Sequence, residues 1–293
     1  TGLNLGTPVA ADNCSVASVT HNAPVTFNTG TTTVTWTVTD ANGNTATATQ
    51  TVTVIDNTFP TITAPAAIST TTNTACSATG VVLGTPVTAD DCAVVSVTNN
   101  APATFNLGTT TVTWTVTDAS GNATNATQLV TVIDNVNPTI TAPAAVNVNA
   151  NNACSAFSVA LGTPVTSDNC SVTSVTHNAP ATFAIGATTV TWTVTDGSGL
   201  TATATQTVTV VDATNPTIVA PANITANSNA ACSATGLNLG TPVAADNCSV
   251  ASVVSNALAS YPTETTTLTW TVTDGSGNIN TATQTVTVTD NEN

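Results

Sequence analysis

The sequence contains no lysine, no arginine and no methionine, and all 15 of its formally charged side chains are acidic. Charged residues make up 5% of the chain, whereas an ordinary globular protein has about 25% with both signs present. The net charge of −15 argues against nucleic acid and anionic membranes as partners, because both are bound through clustered cations. The absence of lysine also excludes a Lys–Asn isopeptide cross-link. Acidic groups without a cationic neighbour must be solvated or bound to a metal ion.

Long apolar segments are missing as well. No run of about 18 apolar residues is present, which predicts no membrane insertion. The sequence also lacks a basic segment followed by an apolar one, so it predicts no signal peptide. Residue 1 falls inside a repeat, which predicts that the sequence is a mature piece of a longer repetitive precursor. The first repeat would then be completed by preceding chain or by a strand donated from another subunit, with preceding chain favoured.

What the sequence does contain is a repeat of 78 residues, the spacing between Trp36, Trp114, Trp192 and Trp270. A period of this length indicates a linear array of small domains. The units are a partial repeat at 1–57 and complete repeats at 58–135, 136–213 and 214–291.

The seven cysteines follow the same period, and two connectivities fit them. Bridges between repeats would join Cys14–Cys76, Cys92–Cys154 and Cys170–Cys232. Bridges within repeats would join Cys76–Cys92, Cys154–Cys170 and Cys232–Cys248, leaving Cys14 unpaired by truncation. Spacing alone does not choose. The second scheme is favoured because a loop of about 15 residues, worth roughly 3 kcal/mol, needs no geometry between domains. Either scheme predicts an oxidising compartment.

Each repeat is built from short alternating segments. In the second repeat, Val112, Trp114 and Val116 lie on one face of a segment whose other face is threonine. Such alternation, bounded by Gly, Pro, Asn and Asp, is typical of β-strands, and no window has a helical period. About seven short strands per repeat predict an all-β protein, with tandem immunoglobulin-like β-sandwich domains in a linear array and Trp114 in the core.

The repeat resembles the hyalin repeat, or HYR domain. The resemblance rests on Thr-Ala-Asp-Asp-Cys at 88–92 and on the segment 105–122, which ends in Thr-Asp-Ala-Ser-Gly-Asn. It implies an extracellular adhesion or scaffolding role, as in the surface adhesins of gliding Bacteroidetes. Two further cysteines of the family match Ala64 and Ala126 here, so the resemblance implies that Cys76–Cys92 and its copies are the retained bridge.

Acidic residues recur at three positions of the repeat and are the candidate metal ligands. One set opens a turn with the pattern Asp-x-Asn/Ser-Gly-Asn (Asp40, Asp118, Asp196 and Asp274), which Leu200 interrupts. A second set ends the last strand (Asp56, Asp134, Asp212 and Asp290), and a third lies beside a cysteine (Asp12, Asp90, Asp168 and Asp246). The turn pattern favours an ordinary hairpin turn, although alternating oxygen ligands can also bind Ca²⁺. Strand-end and cysteine-loop acids that converge at a repeat junction would share a Ca²⁺; otherwise they are solvated.

Nothing in the sequence predicts an enzyme. His21 and His177 occupy a position that holds Asn99 and Ser255 in the other repeats, so neither is part of a shared site. No Ser-His-Asp set, paired-carboxylate cleft or phosphate loop is recognisable. The leading hypothesis is a structural stalk or filament segment of an extracellular cell-surface adhesin. Its partners would be other repeats of the polymer or other filament subunits. The alternative is a module whose repeats bind surface glycans or proteins.

Overall fold

A computed structural model describes residues 2–151, 153–229 and 232–291. Thr1, the residue to which the preceding chain of the predicted precursor would be joined, lies outside the described residues. Across these residues the regular structure consists of 27 β-strands and no helix, so the predicted all-β class is confirmed. None of the described residues forms a helix that could span a bilayer. The chain divides into two compact units, Thr1–Asn135 and Val136–Asn293.

The first unit holds the first two repeats. Strands β1 (Val16–His21), β2 (Gly30–Asp40) and β3 (Thr45–Val54) form one antiparallel sheet in the first repeat. The second repeat contains β4 (Thr61–Thr63), β5 (Ile68–Thr71), β6 (Ser77–Thr79), β7 (Val87–Ala89), β8 (Val94–Asn99), β9 (Thr104–Asn106), β10 (Gly108–Asp118) and β11 (Ala123–Ile133). Its main sheet has the order β5-β11-β10-β8, in which β5 and β11 are parallel. The pairs β4-β7 and β6-β9 make up the remainder.

The second unit holds two more repeats with the same topology. The third contains β12 (Thr139–Thr141), β13 (Val146–Asn149), β14 (Ser155–Phe157), β15 (Val165–Ser167), β16 (Val172–His177), β17 (Thr182–Ala184), β18 (Gly186–Asp196) and β19 (Thr201–Val211). The fourth contains β20 (Thr217–Val219), β21 (Ile224–Asn227), β22 (Ser233–Thr235), β23 (Val243–Ala245), β24 (Val250–Ser255), β25 (Ser260–Pro262), β26 (Thr265–Asp274) and β27 (Ile279–Thr289). The main sheets are β13-β19-β18-β16 and β21-β27-β26-β24.

Strict alternation in the long strands places one core in each complete repeat. In β10, Val112 and Val116 are fully buried and Trp114 is 6% exposed, whereas the intervening threonines face outward. Trp114 pairs across the sheet with Ala126, whose small side chain leaves room for the indole. The indole packs with Phe105, Val130 and the partly buried Ile68, so the interpretation of Trp114 as a core residue is confirmed.

A buried hydrogen-bond relay anchors each tryptophan. The Trp114 Nε1–H donates to Gln128 Oε1 (3.1 Å), and Gln128 Nε2 donates to the carbonyl oxygens of Ala66 (2.8 Å) and Leu83 (2.9 Å). The same pair recurs as Trp36–Gln50, Trp192–Gln206 and Trp270–Gln284. Because every polar group of the relay has a partner, it holds together two loops and two strands without leaving a buried donor unpaired. Sequence reasoning missed this role, although the glutamines keep the period of the tryptophans.

Candidate functional site

The turn between β10 and β11 is organised by the carboxylate of Asp118. Asp118 Oδ1 accepts the backbone N–H groups of Ser120 (2.9 Å) and Asn122 (2.8 Å), while Oδ2 accepts Asn122 Nδ2 (2.8 Å). Asp118 is only 1% exposed. Burial acts to raise its pKa, but the hydrogen bonds from the side chain and backbone of Asn122 and from Ser120 outweigh this and lower the pKa. Asp118 is therefore a buried carboxylate that stays charged at neutral pH.

The copies of this turn share the capping geometry. Asp40 accepts from Asn42, Asn44 and the Asn44 side chain, and hydrogen bonding from Asn44 lowers its pKa. At Asp274, burial raises the pKa, but the bonds from Asn278 and its turn outweigh it and lower the pKa. The third repeat differs because Leu200 carries no side-chain donor. Within the described residues, Asp196 Oδ2 is consequently buried with no hydrogen-bond partner.

We expect Leu200→Asn to stabilise the third repeat. An amide at this position would donate to Asp196 Oδ2, as Asn122 and Asn278 donate to the equivalent aspartates at 2.8 Å. A hydrogen bond to a buried carboxylate is worth about 1.5 to 3 kcal/mol, and the loss of a half-buried leucine offsets part of it, so a net gain of about 1 kcal/mol is expected in calorimetry. Leu200→Ala is the control, since it removes the leucine without adding a donor. Equal stability of the two variants would contradict the explanation.

The turn asparagines also reach the boundary with the preceding repeat. Asn122 Nδ2 lies 3.2 Å from the carbonyl oxygens of both Asp56 and Thr58, which follow the last strand of the first repeat. Asn278 Nδ2 similarly donates to the carbonyl oxygens of Asp212 (3.1 Å) and Thr214 (3.4 Å). Each of these two turns therefore ties the repeat that contains it to the end of the repeat before it.

Three carboxylates meet at the junction inside the first unit. Carboxylate oxygens of Asp56, Asp90 and Asp118 lie within 4.8 Å of one another. Asp56 is 8% exposed, and its Oδ1 accepts the backbone N–H of Thr58 (2.9 Å). Asp90 Oδ2 accepts the N–H groups of Cys92 and Ala93, both at 2.9 Å. Among the residues that the structure describes, Asp56 Oδ2 and Asp90 Oδ1 are buried without a hydrogen-bond partner. The structure thus brings together one member of each acidic set.

The junction inside the second unit repeats the pattern. Asp212 is 7% exposed, and its Oδ1 accepts the Thr214 N–H (3.0 Å) and Asn247 Nδ2 (3.3 Å). Asp246 Oδ2 accepts the N–H groups of Cys248 (2.7 Å) and Ser249 (3.1 Å). A carboxylate oxygen of each aspartate lies within 4.8 Å of the other. In the described part of the chain, Asp212 Oδ2 and Asp246 Oδ1 are again buried and unpaired.

The other predicted acids are placed as follows. Asp12 and Asp168 cap their own loops by accepting the N–H groups of Cys14 and Cys170, both at 2.8 Å. Asp134 is 4% exposed at the end of β11, and Asp290 is exposed after β27.

The predicted cysteine pairing is wrong. Cys154 of the third repeat is disulfide-bonded to Cys248 of the fourth, 94 residues later, so neither Cys154–Cys170 nor Cys232–Cys248 forms. Cys92 is free, which excludes Cys76–Cys92, and Cys14 and Cys232 are free as well. Cys76 and Cys170 are each disulfide-bonded. The alternative pairs Cys14–Cys76, Cys92–Cys154 and Cys170–Cys232 are excluded by the same residues.

The position of the cysteine loop explains this pairing. Asp246 caps the loop after β23, and there Cys248 Sγ lies within 4.8 Å of the Asp212 carboxylate, at the end of the third repeat. The loop cysteine therefore faces the previous repeat and not the other cysteine of its own repeat. The bridge is a staple between repeats.

The free thiol of Cys92 lies beside the first acidic cluster. The adjacent Asp56 carboxylate, partial desolvation and the charges of Asp91 and Asp90 raise the pKa of Cys92 to about 11. The thiol is therefore protonated at neutral pH.

Comparisons with known proteins agree on the type of repeat. The family described as HYR domain matches residues 4–54, 55–132 and 133–210. Hyalin of Strongylocentrotus purpuratus is 33% identical over 162 residues, which cover 52% of this chain and 13% of hyalin. The chain thus spans about an eighth of the length of that relative.

Among solved structures, the protocadherin GammaB4 extracellular domain is similar with a TM-score of 0.34 and 16% identity, over 89% of this chain and 56% of that chain. Mouse cadherin-23 EC22-24 has a TM-score of 0.36 and 12% identity, over 79% of this chain and 99% of that chain.

Proposed function

The chain belongs to the HYR domain family, and on that premise we propose that it is a structural segment, a stalk or filament section, of an extracellular adhesin. The observation that carries the proposal is that repeats are joined to their neighbours. Cys154–Cys248 links the third and fourth repeats covalently, and Asn122 and Asn278 link repeat ends through hydrogen bonds. A module that binds through single repeats has no need of such ties, whereas a scaffold does.

The connecting segments support the same role. Only residues 55–60 separate β3 from β4, and only residues 212–216 separate β19 from β20. Both segments contain a proline, and neither contains a glycine or serine, so they lack the composition of a flexible linker. The disulfide between Cys154 and Cys248 fits an oxidising, extracellular compartment.

The alternative of a glycan-binding module has less support. The side chains of Trp114 and Trp192 are 6% and 5% exposed, so these aromatic rings are not available for stacking on a sugar. A scaffold role for the repeats leaves ligand recognition to other parts of the adhesin.

Small-angle scattering of the full chain tests the proposal. Strands of 11 residues at about 3.3 Å per residue give about 36 Å per repeat, so a stalk of four repeats would have a radius of gyration of about 40 Å. A compact protein of this length would have about 19 Å. The expected result is a value near 40 Å, with no binding of the chain to a glycan array. A value near 19 Å would contradict the stalk.

Matched variants test whether the hydrogen bonds that Asn122 and Asn278 make at the junctions stiffen the array. Asn122→Ala combined with Asn278→Ala should increase interdomain flexibility and broaden the distance distribution. Asn44→Ala should not, because Asn44 Nδ2 donates to Asp40 Oδ2 of its own turn. An identical distribution for the double variant and the parent would show that these ties do not stiffen the array.

A further inference from the structure

In the described part of the chain, the junction inside the first unit and the junction inside the second unit both contain buried carboxylate oxygens without a hydrogen-bond partner. At each junction, one oxygen of a strand-end aspartate and one of a cysteine-loop aspartate are buried without a hydrogen-bond partner among the described residues: Asp56 Oδ2 and Asp90 Oδ1 in the first unit, Asp212 Oδ2 and Asp246 Oδ1 in the second. Asp56 and Asp212 are each more than nine-tenths buried. Because the same atoms are unpaired at both junctions, the feature is built into the repeat.

The chain has no side chain of its own to neutralise these groups. It contains no lysine or arginine, and among the described residues neither histidine belongs to either cluster. Carboxylates within 4.8 Å of one another repel, and burial strengthens the repulsion. Buried charges in proteins are generally paired or coordinate a metal ion. The missing partner must therefore come from solution.

We propose that the junction carboxylates bind Ca²⁺, one ion through Asp56, Asp90 and Asp118 and a second through Asp212 and Asp246. Oxygens that all lie within 4.8 Å of one another are close enough to share one Ca²⁺, because two ligands at about 2.3 to 2.6 Å lie at most about 5 Å apart. Mg²⁺ demands near-octahedral geometry and loses its water ligands reluctantly, whereas Ca²⁺ accepts irregular sets of carboxylate oxygens. At the second junction the cysteine is in a disulfide, so the donors that the two sites share are carboxylate oxygens, as a hard cation prefers.

The ligands come from both sides of each junction. Asp56 and Asp212 follow the last strand of one repeat, whereas Asp90, Asp118 and Asp246 belong to the next. An ion held by both would connect the two repeats directly, beside the asparagine ties. The site is tested by binding and the stalk role by scattering, so either can fail without the other.

Isothermal titration calorimetry of the full chain with CaCl₂ is the direct test. We expect binding with a Kd of about 10⁻⁴ to 10⁻³ M, the range of extracellular calcium modules, and binding of Mg²⁺ at least 10-fold weaker. Asp118→Asn should weaken the first site at least 10-fold. Asp40→Asn is the matched control, because it changes the same turn and the same charge in the first repeat, where the described residues form no such cluster. Equal losses in the two variants, or no heat with the parent at millimolar Ca²⁺, would overturn the proposal.

Thermal unfolding gives a second test, in which the direction of the change in Tm distinguishes a metal site from a merely structural role. In chelator, Asp56→Asn should raise the Tm, because an amide replaces one of the repelling carboxylates and keeps the acceptor for the Thr58 N–H. In Ca²⁺ the parent should gain stability, and the gain for the first two repeats should be lost in Asp56→Asn. A variant that is destabilised in chelator and still stabilised by Ca²⁺ as much as the parent would contradict the site.

Discussion

Replacement of Trp114 by alanine should lower the free energy of unfolding of the second repeat by about 3 to 5 kcal/mol, the range for emptying a buried aromatic site. The indole is 6% exposed and belongs to the same buried cluster as Phe105 and Val130. Its loss also removes the donor to Gln128 Oε1, and an unpaired buried acceptor costs about 1 to 3 kcal/mol. For a domain of this size, calorimetry should show a separate transition at least about 12 °C below that of the parent.

Trp36→Ala is the matched control for this effect. Trp36 donates to Gln50 Oε1 in the same way (2.9 Å), but it is only half-buried, in a repeat whose described strands form a single sheet of three. Its replacement should therefore cost less than that of Trp114. Equal melting shifts for the two variants would show that burial between the sheets does not determine the contribution of the tryptophan.

The strands and the core could be predicted because their signal is local. In β10 the side chains alternate between the two faces, so Val112, Trp114 and Val116 had to be buried together once the segment was a strand. The role of Gln128 could not be predicted in the same way. Its partners are the carbonyl oxygens of Ala66 and Leu83, which are 62 and 45 residues away, and only the folded chain brings them together.

The junction was predictable in part. The end position of Asp56 and the loop position of Asp90 suggested that the two acids meet, whereas Asp118 was assigned to a hairpin turn, with Ca²⁺ binding by that turn as the alternative, and not to the junction. In the folded chain its carboxylate lies with theirs, and Asn122 of the same turn donates a hydrogen bond to the Asp56 carbonyl oxygen at the end of the first repeat. The cysteine pairing was wrong because spacing says nothing about which neighbour a loop faces. Capping by Asp246 directs Cys248 toward the preceding repeat.

Loss of the Cys154–Cys248 staple should be the other large effect. The bridge closes a loop across a sequence separation of 94, for which chain entropy predicts about 4 to 5 kcal/mol. The stabilisation acts on the denatured chain that spans both repeats, so it is lost when the third and fourth repeats unfold together. Cys154→Ser should lower the Tm of this pair by about 8 °C or more and separate their unfolding into two transitions.

Cys232→Ser is the control for the staple, because Cys232 is an exposed, free cysteine of the same series. It should leave the Tm unchanged, whereas Cys248→Ser, which removes the other half of the same bridge, should reproduce the effect of Cys154→Ser. Trypsin has no cleavage site in the chain, so a peptic digest without reductant is the suitable map of the bridge. A peptide that joins Cys154 to Cys248 is expected. A peptide that joins Cys154 to Cys170 would place the bridge inside a single repeat, and the loop constrained by it would be too short to couple the unfolding of two repeats.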